Sequence, residues 1–334
     1  QVTGITDSGT LAMEPGTWYF RYKETDEKKV SAATKVIVKG EGVASVEQGD
    51  VNYGTKPDPK AETSTNTEKT AVIEYKEASS DDTAYSQTVP TAVGNYTVRA
   101  TFAETEAYGE AVATTDFSIR YLETPEPPYT LVGTKGENGY YTSNVVVKPA
   151  KGYMISTELN GTYVESLTIQ NSQSGTVFYL RNASGERTGA LRLETIKIKK
   201  QTPKLSLENG KTYYGDSQKL VIQDDYLSQV YVNGVLQNLD GTEFVLQLGS
   251  NNGKKKYEIT AVDVAGNKKT ILVTVAAAWM KTGIIPEGVL VNLETGNGYK
   301  LGNGNWKVAG DSTSYSGGTE FYVKKDGSYT FGKQ

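Results

Sequence analysis

Gly94-Asn95-Tyr96-Thr97-Val98-Arg99-Ala100 is a short strand written in full. Large apolar side chains alternate with polar ones at a period of two, so one face is buried and the other is wet. The pattern returns as Gly16-Thr17-Trp18-Tyr19-Phe20, Thr176-Val177-Phe178-Tyr179-Leu180, Lys255-Lys256-Tyr257-Glu258-Ile259 and Gly327-Ser328-Tyr329-Thr330-Phe331. The leading aromatics Trp18, Tyr96, Phe178, Tyr257 and Tyr329 recur at nearly even steps along the chain. Two positions later stand Phe20, Val98, Leu180, Ile259 and Phe331, apolar each time. Self-similarity of this kind marks an array of like modules. A row of sugar-stacking aromatics is the functional reading of the column. Inward alternation favours a core strand repeated once per module.

A second column fixes the register. Gly49-Asp50-Val51-Asn52-Tyr53-Gly54 places Tyr53 ahead of Tyr96. Gly210-Lys211-Thr212-Tyr213-Tyr214-Gly215 places Tyr214 ahead of Tyr257 by the same distance. Tyr141 stands closer to Phe178, which predicts a shorter loop there. Between these marks run short segments rich in Val, Ile, Thr and Tyr, cut by Gly, Asn-Gly and Asp-Gly. Such segments predict an all-β sandwich or barrel. Asn233-Gly234 and Asp326-Gly327 suit two-residue hairpin turns, whose central positions need positive φ. An aromatic opening a late strand also matches the corner residue of immunoglobulin-like sandwiches.

The expected organisation follows. Residues 1–39 form a partial or truncated β-repeat. Residues 40–121 form one sandwich, 122–128 a Pro-rich linker held extended by its prolines, 129–200 a divergent sandwich and 201–277 another. Residues 278–334, dense in glycine from Gly283 to Gly332, form a small Gly-rich β-meander module. The chain starts at Gln1, as an excised or processed fragment would.

The chain has 334 residues with no Cys and no His. Disulfides, Cys- or His-ligated metals and His-dependent nucleophile systems are therefore excluded within it. With 35 basic and 39 acidic residues its net charge is −4, and no basic stripe for nucleic acid is present. The runs Lys197–Lys200 and Lys254–Lys256 read as solvated strand edges, which discourage sheet-to-sheet pairing. The longest apolar run, Ile271–Met280, falls short of the roughly 20 residues that span a bilayer.

Single motifs yield little chemistry. Gly210-Lys211-Thr212 lacks a phosphate loop's first glycine, because Leu205 stands there. Asp81-Asp82, Asp224-Asp225 and Asp263 could donate oxygens to calcium, but none has EF-hand spacing, and solvated loop carboxylates are the simpler reading. Asn267 reads as a turn residue. A carboxylate pair could run glycoside hydrolysis without His, yet modules of this size leave little room for a cleft. A Lys–Asn isopeptide crosslink needs a buried Lys, Asn and acid together, and no signature for one is visible. Tyr outnumbers Phe 23 to 7, which suits half-exposed faces. Tyr140-Tyr141, Tyr213-Tyr214, Trp279 and Trp306 are the aromatics to inspect for sugar stacking.

Tyr257-Glu258-Ile259-Thr260-Ala261-Val262-Asp263-Val264-Ala265-Gly266-Asn267 resembles the A-x-D-x-A-G-N ending of bacterial immunoglobulin-like repeats. Tyr53-Gly54, Gly94–Val98 and Phe117-Ser118-Ile119 resemble related repeats of Gram-positive surface proteins. Tyr299–Gly302 to Tyr322-Val323 is similar to their short Gly-rich terminal modules. The likeness covers most of 40–277; 129–200 departs most, lacking the Tyr-Gly and Ala-Gly-Asn marks. It implies an elongated tandem array of immunoglobulin-like sandwiches with a Gly-rich C-terminal β-module. It further implies a non-catalytic extracellular stalk or adhesin region at the cell surface of a Gram-positive bacterium, or secreted. The alternative is a carbohydrate-binding accessory region of a secreted glycan-degrading enzyme. The partner would be a surface glycan or protein; a monomer is expected, with no cofactor, metal, nucleic acid or catalytic residue. No ligand-binding residue stands out. Small-angle scattering is expected to give a radius of gyration well above the ~20 Å of one compact domain of this length; a value near it would sink the tandem reading.

Overall fold

The protein's structure is a computed structural model that describes residues 13–22 and 24–334. The expected partial repeat at 1–39 therefore lies in part outside the described residues. The chain divides into two compact units. The first runs to Thr130 and adds Val147–Leu167 and Gly175–Leu193; the second holds Leu131–Val146, Thr168–Ser174 and Glu194–Gln334. Among the described residues the only helical elements are two 3-10 turns, Asp82–Ala84 and Ala278–Lys281.

In the first unit, Gly16–Phe20 pairs antiparallel with Thr34–Val38. Ala44–Glu47 then pairs with Lys60–Thr63. A second sheet has the order Val51–Asn52, Ala111–Arg120, Gly94–Phe102, Val72–Glu77. Its first strand runs parallel to Ala111–Arg120; the other neighbours are antiparallel. An opening strand that starts on one sheet and crosses to the far edge of the other gives the sandwich an immunoglobulin-like topology. Gly94–Phe102 buries alternate residues, and Tyr96, Val98 and Ala100 meet Val46, Tyr75, Phe117 and Ile119 in the core.

The second unit repeats this plan. Lys204–Leu205, Ser217–Gln223 and Glu243–Gly249 make one sheet. The facing sheet has the order Thr212–Tyr214, Lys268–Ala276, Lys254–Asp263, Leu227–Val232, Val235–Leu236. Thr212–Tyr214 is again the parallel partner of the last long strand, and Tyr140–Tyr141 stands in the same relation to Lys197–Ile198. The tyrosine column thus marks a parallel crossover strand. At the C-terminus, two small sheets enclose a core that includes Trp306, Phe321 and Phe331.

The leading aromatics do what a corner residue does. The Tyr96 hydroxyl donates to the Ala92 carbonyl at 3.1 Å, and that of Tyr257 to Gly249 at 2.7 Å. The Tyr329 hydroxyl reaches the Lys325 carbonyl, and the Trp18 indole N–H the Glu14 carbonyl at 2.9 Å. Tyr96 and Tyr257 bury the ring and Trp18 and Tyr329 cover part of it, while each polar tip satisfies a loop carbonyl. Phe178 has no polar tip; it is fully buried, edge-on to Tyr129 at 5.4 Å.

One of the two expected turns differs. Asn233 and Gly234 have φ of 51° and 78° and close the hairpin between Leu227–Val232 and Val235–Leu236. Asp326-Gly327 is no hairpin: neither residue has positive φ, and the flanking strands lie in different sheets. Instead the Asp326 carboxylate accepts the Thr295 N–H at 2.6 Å. Replacing Tyr96 or Tyr257 by Phe keeps the ring and orphans a loop carbonyl. Each is expected to cost about 1 kcal/mol, read as a lower urea midpoint for that sandwich; an unchanged midpoint in both would contradict the corner role.

Candidate functional site

Two loop contacts and one groove concentrate the polar chemistry. In the first unit, the loop around Glu186 docks on the end of strand Val51–Asn52. The Arg187 N–H donates to the Tyr53 carbonyl at 2.9 Å, and the Leu122 N–H donates to the Arg187 carbonyl at 2.8 Å. Gly54 has φ of 105°, and a Cβ there would lie 2.3 Å from the Gly185 carbonyl oxygen. Only glycine permits that approach. The Glu186 carboxylate accepts from Asn182 Nδ2 at 2.6 Å and Asn52 Nδ2 at 3.0 Å. These bonds, Asn182 first, hold its pKa below the usual value.

In the second unit the same kind of contact is built on Ala265-Gly266-Asn267. The Glu137 N–H donates to the Ala265 carbonyl at 2.9 Å, and Asn138 Nδ2 to the Val264 carbonyl at 2.8 Å. Asp263, its side chain 0% exposed, organises the loop from inside. Its Oδ1 accepts the N–H groups of Ala265 and Asn267, both at 2.9 Å, and its Oδ2 accepts Asn267 Nδ2 at 2.9 Å. Asn267 Nδ2 also reaches the Lys199 carbonyl at 2.9 Å. Lys199 Nζ lies 2.9 Å from Asp224 Oδ2 and 3.3 Å from Asp263 Oδ2.

These contacts correct three expectations. Lys199 is not a solvated edge residue; its side chain is 15% exposed and pairs with two carboxylates. Asn267 is more than a turn residue, because it ties the loop to the end of an earlier strand. Asp224 and Asp263 do come together, but an ammonium occupies the place a cation would take. Lys199, Asn267 and Asp263 also gather, but Asn267 bonds to the Lys199 backbone carbonyl and the amine is held as a cation by the two carboxylates. Burial alone would ease the proton off Lys199; the hydrogen bonds and charges of Asp224 and Asp263 outweigh it and raise its pKa. A protonated amine is no nucleophile.

Elsewhere the candidate acids have local duties. Asp81 caps the turn Asp82–Ala84 through the Thr83 N–H, and Asp82 pairs with Lys76 at 2.9 Å. Lys211 pairs with Glu208 at 2.8 Å. Of the aromatics singled out, Trp306 is 2% exposed and donates to the Gly302 carbonyl. Trp279 packs edge-on to Tyr299 at 5.7 Å. Tyr214 is half exposed, while Tyr140, Tyr141 and Tyr213 are partly buried.

Beside the Lys199 network lies a groove of about 650 Å³. Gln170, Asn171, Gln201, Asp225, Tyr226 and Thr242 are among its walls. Of these, Asp225 alone stands out in the sequence, as a calcium candidate beside Asp224. The wall residues come from strand ends and loops spread between Gln170 and Thr242, a convergence no local spacing announces.

No protein-family model matches the sequence, and no curated protein matches it. Solved structures do show likeness. A Bacteroides ovatus mixed-linkage glucan utilization locus protein, SGBP-B, in complex with a mixed-linkage heptasaccharide, is 11% identical over 85% of this chain and 87% of its own, with a TM-score of 0.18. The sialic acid binding region of a Streptococcus sanguinis SK1 adhesin is 12% identical over 74% and 80%, with a TM-score of 0.22. Three N-terminal domains of the outer capsid protein Hoc of bacteriophage RB49 are 11% identical over 71% and 99%, with a TM-score of 0.27. At such values, what those proteins bind says nothing about this one. No helix among the described residues is long and apolar enough to cross a membrane.

The two contacts titrate at opposite ends of the pH scale. Glu186 ionises more readily folded than unfolded, so its contribution is present above about pH 4.5 and fades as pH falls through the lower folded value. Lys199 holds its proton more tightly folded, so its contribution is present below about pH 10.5 and fades as pH rises through the higher folded value. Lys199→Met leaves Asp263 buried without its cation and is expected to cost about 3 kcal/mol. In urea melts that deficit should hold at pH 7–9 and shrink above 10.5. Glu186→Gln should show a deficit at neutral pH that closes below 4.5. A pH-independent gap in either variant would contradict the assignment.

Proposed function

We propose that this chain is a non-catalytic extracellular stalk or adhesin region of a bacterial surface protein of the Gram-positive type, spacing or presenting a binding function. The observation that carries this is the repeated docking contact. In each unit a loop is fastened, backbone to backbone, onto another stretch of the chain. Arg187 meets Tyr53 in the first unit, and Glu137 meets Ala265 in the second. A third contact, Asn292 N–H to the Asn252 carbonyl at 3.1 Å, fastens strand Leu290–Leu293 of the C-terminal module. Flexible linkers would leave these groups to water. Fastened modules suit a part that must hold its ends apart. The two carboxylates that converge, Asp224 and Asp263, share the Lys199 ammonium, an arrangement that serves the loop rather than a reacting group.

The groove beside Tyr226 favours a second reading, a carbohydrate-binding accessory region of a secreted enzyme. One protein preparation tests the spacer role and the absence of catalysis. Pulled by its ends in a single-molecule experiment, the chain should yield in separate steps, each releasing about 75 residues, or roughly 26 nm at ~3.5 Å per residue. Incubated with polysaccharides, it should release no new reducing ends. A single unfolding event would overturn the spacer reading, and hydrolysis lost on removing one carboxylate would overturn the non-catalytic one.

A further inference from the structure

We infer that the groove beside Tyr226 is a binding site for a neutral oligosaccharide. The inference deepens the surface-presentation reading, on which it rests, by naming what one face would hold. The groove's ~650 Å³ falls in the range of small-ligand sites, about 300–1,000 Å³. Its lining residues are polar or charged apart from Ile198 and the Tyr226 ring. A peptide anchored by apolar side chains would find no pocket there.

The charges in the lining balance. Three lysines, Lys199, Lys200 and Lys204, face three acids, Asp224, Asp225 and Glu243. Most are spent internally. Lys199 serves Asp224, Lys200 donates to Asn144 and to the Gln170 carbonyl at 2.8 Å, and Glu243 accepts from Gln223 at 2.9 Å. What remains has no net field to draw a phosphate or a polyanion.

The uncommitted groups are those that read hydroxyls. The side chains of Asn171, Gln201, Thr202, Asp225 and Thr242 line the groove with no partner among the described residues. Amides and hydroxyls both donate and accept, and a carboxylate accepts twice per oxygen. Vicinal sugar hydroxyls need that mixture. Tyr226, 51% exposed, supplies a ring for the C–H face of a pyranose. Its N–H is held by Asp224 Oδ1 at 2.8 Å, its carbonyl accepts the Val264 N–H at 2.8 Å, and Tyr140 packs against the ring at 6.3 Å. The network around Asp263 fixes the floor. A site with its backbone and platform already ordered loses less entropy on binding.

The whole 334-residue chain is tested by affinity electrophoresis and calorimetry. The neutral probes are mixed-linkage β-glucan, xyloglucan, galactomannan and pullulan; polygalacturonate is the charged probe. At least one neutral glycan should retard the protein and polygalacturonate should not. Tyr226→Ala should weaken binding at least tenfold and Asn171→Ala several-fold, each with an unchanged melting profile because both side chains are exposed. Tyr322→Ala, which removes a 64% exposed ring from the C-terminal module, should bind as the parent does. Three results would overturn the site: no neutral glycan bound, unaltered binding by Tyr226→Ala, or loss of binding by Tyr322→Ala. Stepwise unfolding under force with no glycan bound would leave the spacer reading standing and end this one.

Discussion

Asp263 is a charge taken wholly out of water, and several features of the second unit follow from keeping it satisfied. Burying a carboxylate is costly unless every lone pair finds a donor. Here two backbone N–H groups, one amide and one ammonium converge on it. The two backbone donors set the Ala265-Gly266-Asn267 turn, with Gly266 at φ of 82°. The amide reaches on to the Lys199 carbonyl, and the ammonium brings Asp224 with it. Asp224 in turn holds Tyr226. A single desolvated group thus orders a turn, the end of an earlier strand and one wall of the groove.

A chain without cystines must fix its sheets by packing and hydrogen bonds. The aromatic column does this at modest cost in polar burial. Tyr96, Tyr257 and Tyr329 each seat a ring against a core, and they and Trp18 turn a polar atom onto a loop carbonyl. Phe178 shows that the ring matters more than the polar tip, since its strand keeps the same place with no such bond. The docking contacts extend the same economy beyond the sheets: they use backbone groups, and glycine at Gly54 lets two loops touch without side chains between them.

Periodicity made the sheets legible, because a strand's two faces are written into consecutive residues. Tyr96 with Val98, and Tyr257 with Ile259, revealed both the strand and its core face. Tyr53 and Tyr214 marked the crossover strand by equal spacing, and Tyr141 marked it despite a shorter loop. What local pattern could not show was convergence. Lys199 looks like its neighbours Lys197 and Lys200 until Asp263, far along the chain, is brought to it. Asp326-Gly327 has hairpin composition, yet its flanking strands enter different sheets, and the carboxylate is drawn to Thr295. Asn171 and Tyr226 are ordinary polar surface residues in sequence; only the folded chain puts them on one concavity.

The crossover strands have a mechanical consequence. Val51–Asn52 lies near the start of its sandwich and Ala111–Arg120 at its end, and the two run parallel. Tyr140–Tyr141 with Lys197–Ile198, and Thr212–Tyr214 with Lys268–Ala276, repeat the arrangement. Tension that reaches such a pair pulls the crossover strand backward and the late strand forward along their common direction. The hydrogen bonds between them then lie across the force and strain together in shear. In an antiparallel hairpin pulled at its open end the bonds would instead break in succession, like a zip. These three pairs therefore stand in the orientation that would share an axial load.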